Sequence, residues 1–240
     1  MANIISIETS TEVCSVALSV DGRCVWTKKQ MEGQAHSTML ATYLQELQKH
    51  AQENKITIDA VAVSSGPGSY TGLRIGVSTA KGLCYGADVP LLSVDTLKIM
   101  AKAAADTLKT IPEDALFCPM IDARRMEVYT AFFDKNMSKV RDISADIIDE
   151  ESYAEVLAGH PVYFFGNGSA KCMQKLTHEN AHYIPEITPL AENMGTEAER
   201  AFLQKEFKDV AYFEPFYLKE FVATVAKNKV LGEASNIQAK

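Results

Sequence analysis

Residues 64–76 read SSGPGSYTGLRIG. The short apolar run AVAVS (60–64) enters this segment, and a glycine-spaced run leaves it toward Gly86. A strand that turns through Gly-Pro-Gly into a helix is the elementary step of a layered α/β fold. Ser69 and Thr71 are both suited to cap that helix. The loop lacks the G-x-x-x-x-G-K-[ST] pattern of a Walker motif. The G-x-G-x-x-x-G spacing of Gly66, Gly68 and Gly72 also differs from the dinucleotide fingerprint. Beyond the loop, Gly72, Gly76 and Ala80 recur at i, i+4, i+8 and make a helix stripe with almost no side chain. Helical glycine costs about 1 kcal/mol relative to alanine, so the stripe implies a close neighbour. That neighbour is a sheet of the same domain, another helix or another subunit. The alternative is phosphate binding, which glycine loops at helix starts often serve.

Working outward, 3–8, 13–20 and 24–30 read as three strands, the last two joined by the Asp21-Gly22 hairpin turn. A helix is expected from about Ser37, a plausible N-cap, with Met39, Leu40, Tyr43, Leu44 and Leu47 on one face. A strand at 90–94 and a helix from Asp95 complete the first half. A composition shift over 106–114 marks a boundary, giving domains of 1–108 and 109–240, with the last helix expected to pack back on the first domain. In the second half, 115–121, 126–133 and 138–148 read as strands, followed by a helix at 151–158, a strand at 161–165 and a Gly166–Gly168 turn. Closing helices are expected over 190–206 and 218–228. The halves echo each other as a mixed α/β sheet.

The chain has 240 residues, 47% of them hydrophobic, and a formal charge of −7. That balance disfavours a protein that grips a nucleic-acid backbone by itself. Five scattered cysteines without a C-x-x-C pair argue against a disulfide framework or a cysteine zinc site. The N-terminus does not resemble a signal peptide and no stretch is long enough to span a bilayer, so a cytoplasmic protein is expected.

The turn Glu8-Thr9-Ser10-Thr11 joins the first two strands; an acidic residue followed by hydroxyls there can face a phosphate, or can simply cap a hairpin. His178-Glu179-Asn180-Ala181-His182 matches the zinc motif H-E-x-x-H, yet Pro185 follows closely and favours extended chain. His36 precedes the first helix and is read as structural. Asp122-Ala123-Arg124-Arg125 reads as a charged hairpin turn with an internal ion pair.

Together IETSTEVCSVAL, SSGPGSYTGLRIGVSTAKGL, PLLSVDTL, MIDARRMEVYTAFF and PFYLK resemble the TsaB family of threonylcarbamoyladenosine biosynthesis proteins. The resemblance covers residues 1 to about 135 and returns near 212–219. It implies a two-domain actin-like ATPase fold, each domain on a ribonuclease-H-like sheet. It implies a non-catalytic, glycoprotease-like subunit that pairs with TsaD, and works with TsaE, in making N6-threonylcarbamoyladenosine on ANN-decoding tRNAs. It also implies a homodimer when the chain is alone, contact with tRNA only through partners, and no cofactor, a nucleotide entering only in the complex with TsaD. TsaD relatives carry a metal-binding H-x-x-x-H on the helix after the strand equivalent to 90–94; here Ser93 to Ala103 holds no histidine. The partner surface expected on these grounds comprises Met39, Tyr43, Leu47, Ser69, Tyr70, Gly72, Leu73, Gly76 and Ala80. Gly76→Arg is expected to abolish pairing while sparing the fold. Glu8, Thr9, Ser10 and Thr11 are the candidate nucleotide-facing residues; no catalytic or metal residue is nominated. The alternatives are a metallopeptidase on the H-E-x-x-H segment and a small-molecule kinase or ATPase of the same fold.

Overall fold

The structure, a computed structural model, describes residues 2–31 and 36–219. The Ser37 side chain, and the helix expected over 218–228 from residue 220 onward, lie outside the described residues.

The apolar alternation at the N-terminus folds as β1 (Asn3–Glu8), β2 (Cys14–Val20) and β3 (Arg23–Gln30) in an antiparallel meander. α1 (His36–Glu53) leads to β4 (Ala60–Ser64), α2 (Tyr70–Ala87), β5 (Leu91–Val94) and α3 (Thr96–Thr107). β4 pairs parallel to β1 and β5 parallel to β4, giving the order β3-β2-β1-β4-β5. The second half repeats the plan with β6 (Leu116–Asp122), β7 (Glu127–Phe133), β8 (Lys139–Ile147), α4 (Ala154–Gly159), β9 (Val162–Phe165), α5 (Ser169–Cys172) and β10 (Ala181–Ile184). Its order, β8-β7-β6-β9-β10, has the same pairing senses. The two halves thus duplicate one mixed five-stranded sheet.

Side chains alternate across each strand, so the first sheet has two apolar faces. Ile5, Ile7, Val61 and Val63 pack under α1 and α2 through Leu40, Tyr43, Leu47, Val77 and Ala80. Ile4, Ala17, Ala62, Leu92 and Val94 face the other way. That face is covered by Ile99 of α3 and by a segment from beyond β10: the 3-10 turn Ala191–Asn193 and α6 (Gly195–Leu203). A continuous helix over 190–206 was expected; the chain instead forms this turn and a nine-residue helix. α3 is shared, since Leu97, Met100, Ala101 and Ala104 pack on Phe117, Phe133 and Phe165 of the second sheet. The outer face of the second sheet packs under Leu157, Cys172 and Leu176. Among the described residues, no helix is long and apolar enough to cross a membrane.

Candidate functional site

The ends of β1 and β4 meet the glycine-rich loop. The Ser10 amide donates to Glu8 Oε1 at 2.5 Å, and the Thr9 hydroxyl donates to the Gly72 carbonyl at 2.7 Å. The Ser69 amide donates to the Ser10 carbonyl at 2.6 Å. A Cβ on Gly68 would collide with Ser10, and one on Gly72 or Gly76 with the Thr9 carbonyl or hydroxyl. The loop therefore lies directly on the turn, which is why those positions need glycine. Glu8, Thr9 and Ser10 are wholly buried and Thr11 nearly so. Glu8, Thr9, Ser10 and Thr11, expected to face a nucleotide, are instead buried beneath the chain's own loop, which takes the Thr9 hydroxyl and the Ser10 carbonyl, while the Ser10 hydroxyl and Glu8 Oε2 are buried without a hydrogen-bond partner among the described residues. Burial pushes the Glu8 carboxyl above its ordinary range, against the hydrogen bond from the Ser10 amide, which acts the other way.

The same geometry corrects the expected partner surface. Gly72, Leu73, Gly76 and Ala80 are buried on the first sheet, and Tyr43 and Leu47 belong to its core. The close neighbour of the stripe is Thr9 and Val63 of the same domain. Gly76→Arg would consequently break the fold. Of the remaining nominated residues, Ser69 caps α2 by accepting from the Gly72 amide, and Met39 and Tyr70 are half-buried. The outward face of α2 is different: Thr71, Arg74, Ser78, Gly82, Tyr85 and Gly86. A Cβ on Gly82 or Gly86 meets nothing within 4 Å, and Tyr85 is 86% exposed. This second glycine pair falls outside the i, i+4 series that starts at Gly72, so that spacing does not reveal it.

Beyond α6 the chain runs back as a strap. The Lys208 amide donates to Leu91 on the free edge of β5 at 2.8 Å. Lys81 Nζ donates to the Ala211 and Phe213 carbonyls at 2.9 and 3.2 Å. The Phe216 amide then donates to Ser65 at 2.7 Å, and Tyr217 lies on Tyr70 with ring centroids 4.9 Å apart. Lys219 pairs with Glu127 of the second domain. Ser65, Gly66 and Phe216, with Asp95, Lys139, Asp142 and Ile143, line an open cavity of about 370 Å³. Asp95 caps α3 by accepting from the Leu97 amide at 2.9 Å, and Lys139 Nζ lies 3.3 Å from its other oxygen. Burial still keeps the Asp95 carboxyl above its ordinary range, outweighing Lys139 and the amide.

The second domain repeats the loop-on-turn motif. Gly168 lies against Asp122, and the Asp122 amide donates to Asn167 Oδ1 at 2.9 Å. The internal ion pair expected in Asp122-Ala123-Arg124-Arg125 is not formed; Asp122 pairs with Lys171, and only the Arg124 amide reaches it, at 2.9 Å. The H-E-x-x-H segment is no helix. His178 sits in a turn, accepting from the Asn180 amide at 3.1 Å, while His182 lies in β10 with its ring on Tyr163. Two histidines so placed do not share the helical face that the zinc motif requires. Among the described residues, no group of three or more His, Cys, Asp or Glu is placed to hold a metal ion.

The tRNA threonylcarbamoyladenosine biosynthesis protein TsaB of Escherichia coli K12 is 31% identical over 230 residues, spanning 92% of this chain and 96% of its own length. The chain belongs to the TsaB family. The Haemophilus influenzae TsaB is 30% identical over 91% of this chain and 94% of its own. The family model for TsaD, tRNA N6-adenosine threonylcarbamoyltransferase, matches residues 30–240. YeaZ from Pseudomonas aeruginosa superposes with a TM-score of 0.74 at 25% identity, covering 91% of this chain and all of its own. A second Pseudomonas aeruginosa structure, described as similar to peptidase YeaZ, reaches 0.78 with the same coverage. The TsaB relatives thus share both halves of the duplicated fold, including the segment 136–210 that lies outside the stretches carrying the family resemblance.

Proposed function

We propose that this chain is a non-catalytic subunit of a tRNA threonylcarbamoyladenosine-forming complex. The reading rests on the sealed β1–β2 turn: a chain of the TsaB family keeps the frame of a TsaD-like enzyme but fills the first phosphate-facing turn with its own loop. Its task is then to hold TsaD in a productive arrangement, with TsaE, on the cytoplasmic tRNA pool. The docking face is the outer surface of α2 with α1 beside it, where Gly82 and Gly86 let another backbone come close. Without TsaD the same face pairs with a second copy. A nucleotide enters only at the junction with TsaD, and most tRNA contacts belong to the partners.

The test is co-purification with TsaD and reconstituted tRNA modification. Gly82→Arg should fold normally, fail to retain TsaD and reduce modification at least ten-fold. Full retention of TsaD by Gly82→Arg would remove α2 from the interface. Undiminished modification with the chain left out would remove the proposed role.

A further inference from the structure

The β6–β7 turn carries two arginines, Arg124 and Arg125, and the fold uses the Arg124 guanidinium only as a nearby charge that helps hold the Asp122 carboxyl below its ordinary range. Arg124 and Arg125 are exposed, and among the described residues neither guanidinium makes a hydrogen bond or an ion pair. The neighbouring acids are already taken, Asp122 by Lys171 and Glu127 by Lys219. The turn is held by its backbone: the Ala123 amide donates to Glu127 at 3.0 Å and the Glu127 amide to Arg124 at 3.1 Å. Both arginines stand in the left-handed region, with φ of 72° and 50°. Side chains rarely adopt that conformation, and glycine or asparagine would hold it with less strain. The sequence thus places two cations where the backbone favours other residues.

The position matters as well. Asn167 accepts from the Asp122 amide and donates to Glu12 of the first domain at 3.3 Å, so the turn stands at the seam between the domains. We infer that Arg124 and Arg125 contact phosphates of the tRNA backbone when the chain is assembled with TsaD. A guanidinium fork matches a phosphate bidentately. An exposed turn suits phosphates on an extended polyanion better than an enclosed mononucleotide. In a chain of charge −7, two such contacts add to a complex held mainly by others. This inference rests on the proposed function.

The test is a salt titration of tRNA transcript binding by the TsaD complex, comparing wild type with R124N/R125N. Asparagine tolerates the left-handed backbone, so the variant should unfold at or above the wild-type temperature and retain TsaD. Its tRNA affinity should fall about ten-fold at low salt, and the log–log salt slope should become shallower by roughly 1.4–1.8. R124K/R125K should recover the slope, since it keeps both charges. An unchanged affinity and slope in R124N/R125N overturns the inference. So does a slope contribution that ATP with magnesium abolishes, which would assign the arginines to a nucleotide. If wild type fails to retain TsaD, the proposed partnership fails separately. The titration is then read on the chain alone, where equal slopes for wild type and R124N/R125N overturn the arginine contact.

Discussion

Gly72 and Gly82 lie on one helix and meet different surroundings. A methyl group at Gly72 would strike the Thr9 carbonyl, which is fixed in the β1–β2 turn. Gly72→Ala should therefore cost about 2–3 kcal/mol, as overpacking does. At Gly82 the space is open, so Gly82→Ala should gain up to about 1 kcal/mol through helix propensity. Urea denaturation separates the two; equal effects would contradict the burial pattern. Glu8 makes a further residue-scale prediction. Its folded pKa is raised by burial, so its contribution is fully present below the unfolded value and is lost as pH rises through the folded one. Glu8→Gln does not titrate and keeps an acceptor for the Ser10 amide. Its stability relative to wild type should rise between pH 4 and pH 8, measured by thermal melts; a flat difference would refute the raised pKa. The sequence announced that Gly72 and Gly76 need a close neighbour, but not which one. Spacing reports which side chains are small, whereas the identity of the neighbour is set by how β1 and β4 pair, a contact between residues far apart in the chain.

Among the elements, the strap over 206–219 has little regular structure and is positioned by single contacts. Lys81 alone holds two of its carbonyls. Lys81→Met should cost about 1 kcal/mol and speed amide exchange at Phe216, whose N–H reaches Ser65; unchanged exchange would show that the strap is anchored elsewhere. Strands and helices with strong periodicity were legible: β1 to β9 and α1 to α4 form close to where alternation or apolar stripes place them. The extended chain that Pro185 favours appears as β10, while the four-residue α5 carries no readable helical period and owes its form to neighbours. The H-E-x-x-H segment shows the converse, a motif whose spacing is right but whose backbone follows the Tyr163 strand in β-pairing.

At the scale of the molecule, the two halves are alike in sheet order but not independent. α6 and the turn before it cover Ile4, Ala17, Ala62 and Leu92 of the first sheet, with Met194, Ala198 and Ala201 in the contact. Lys98–Glu197 and Lys29–Glu192 ion pairs border that packing. The fragment 1–108 ends before any of this cover, so it should lack a cooperative thermal transition and aggregate. The full chain should melt sharply. A sharp transition in the fragment would show that one face of the first sheet tolerates water. The sequence pointed to a boundary at 108 because composition changes there, while the return of α6 across it leaves no local mark.

That return also sets a schedule. The first sheet is complete once β5 has been made, yet beyond the cover that Ile99 of α3 gives, its second face stays open until α6 leaves the ribosome about a hundred residues later. At roughly 5–20 residues per second, each nascent chain carries an exposed apolar sheet face for several seconds. Holding chaperones would find their strongest substrate in that interval, and any translational pause between β5 and α6 would lengthen it.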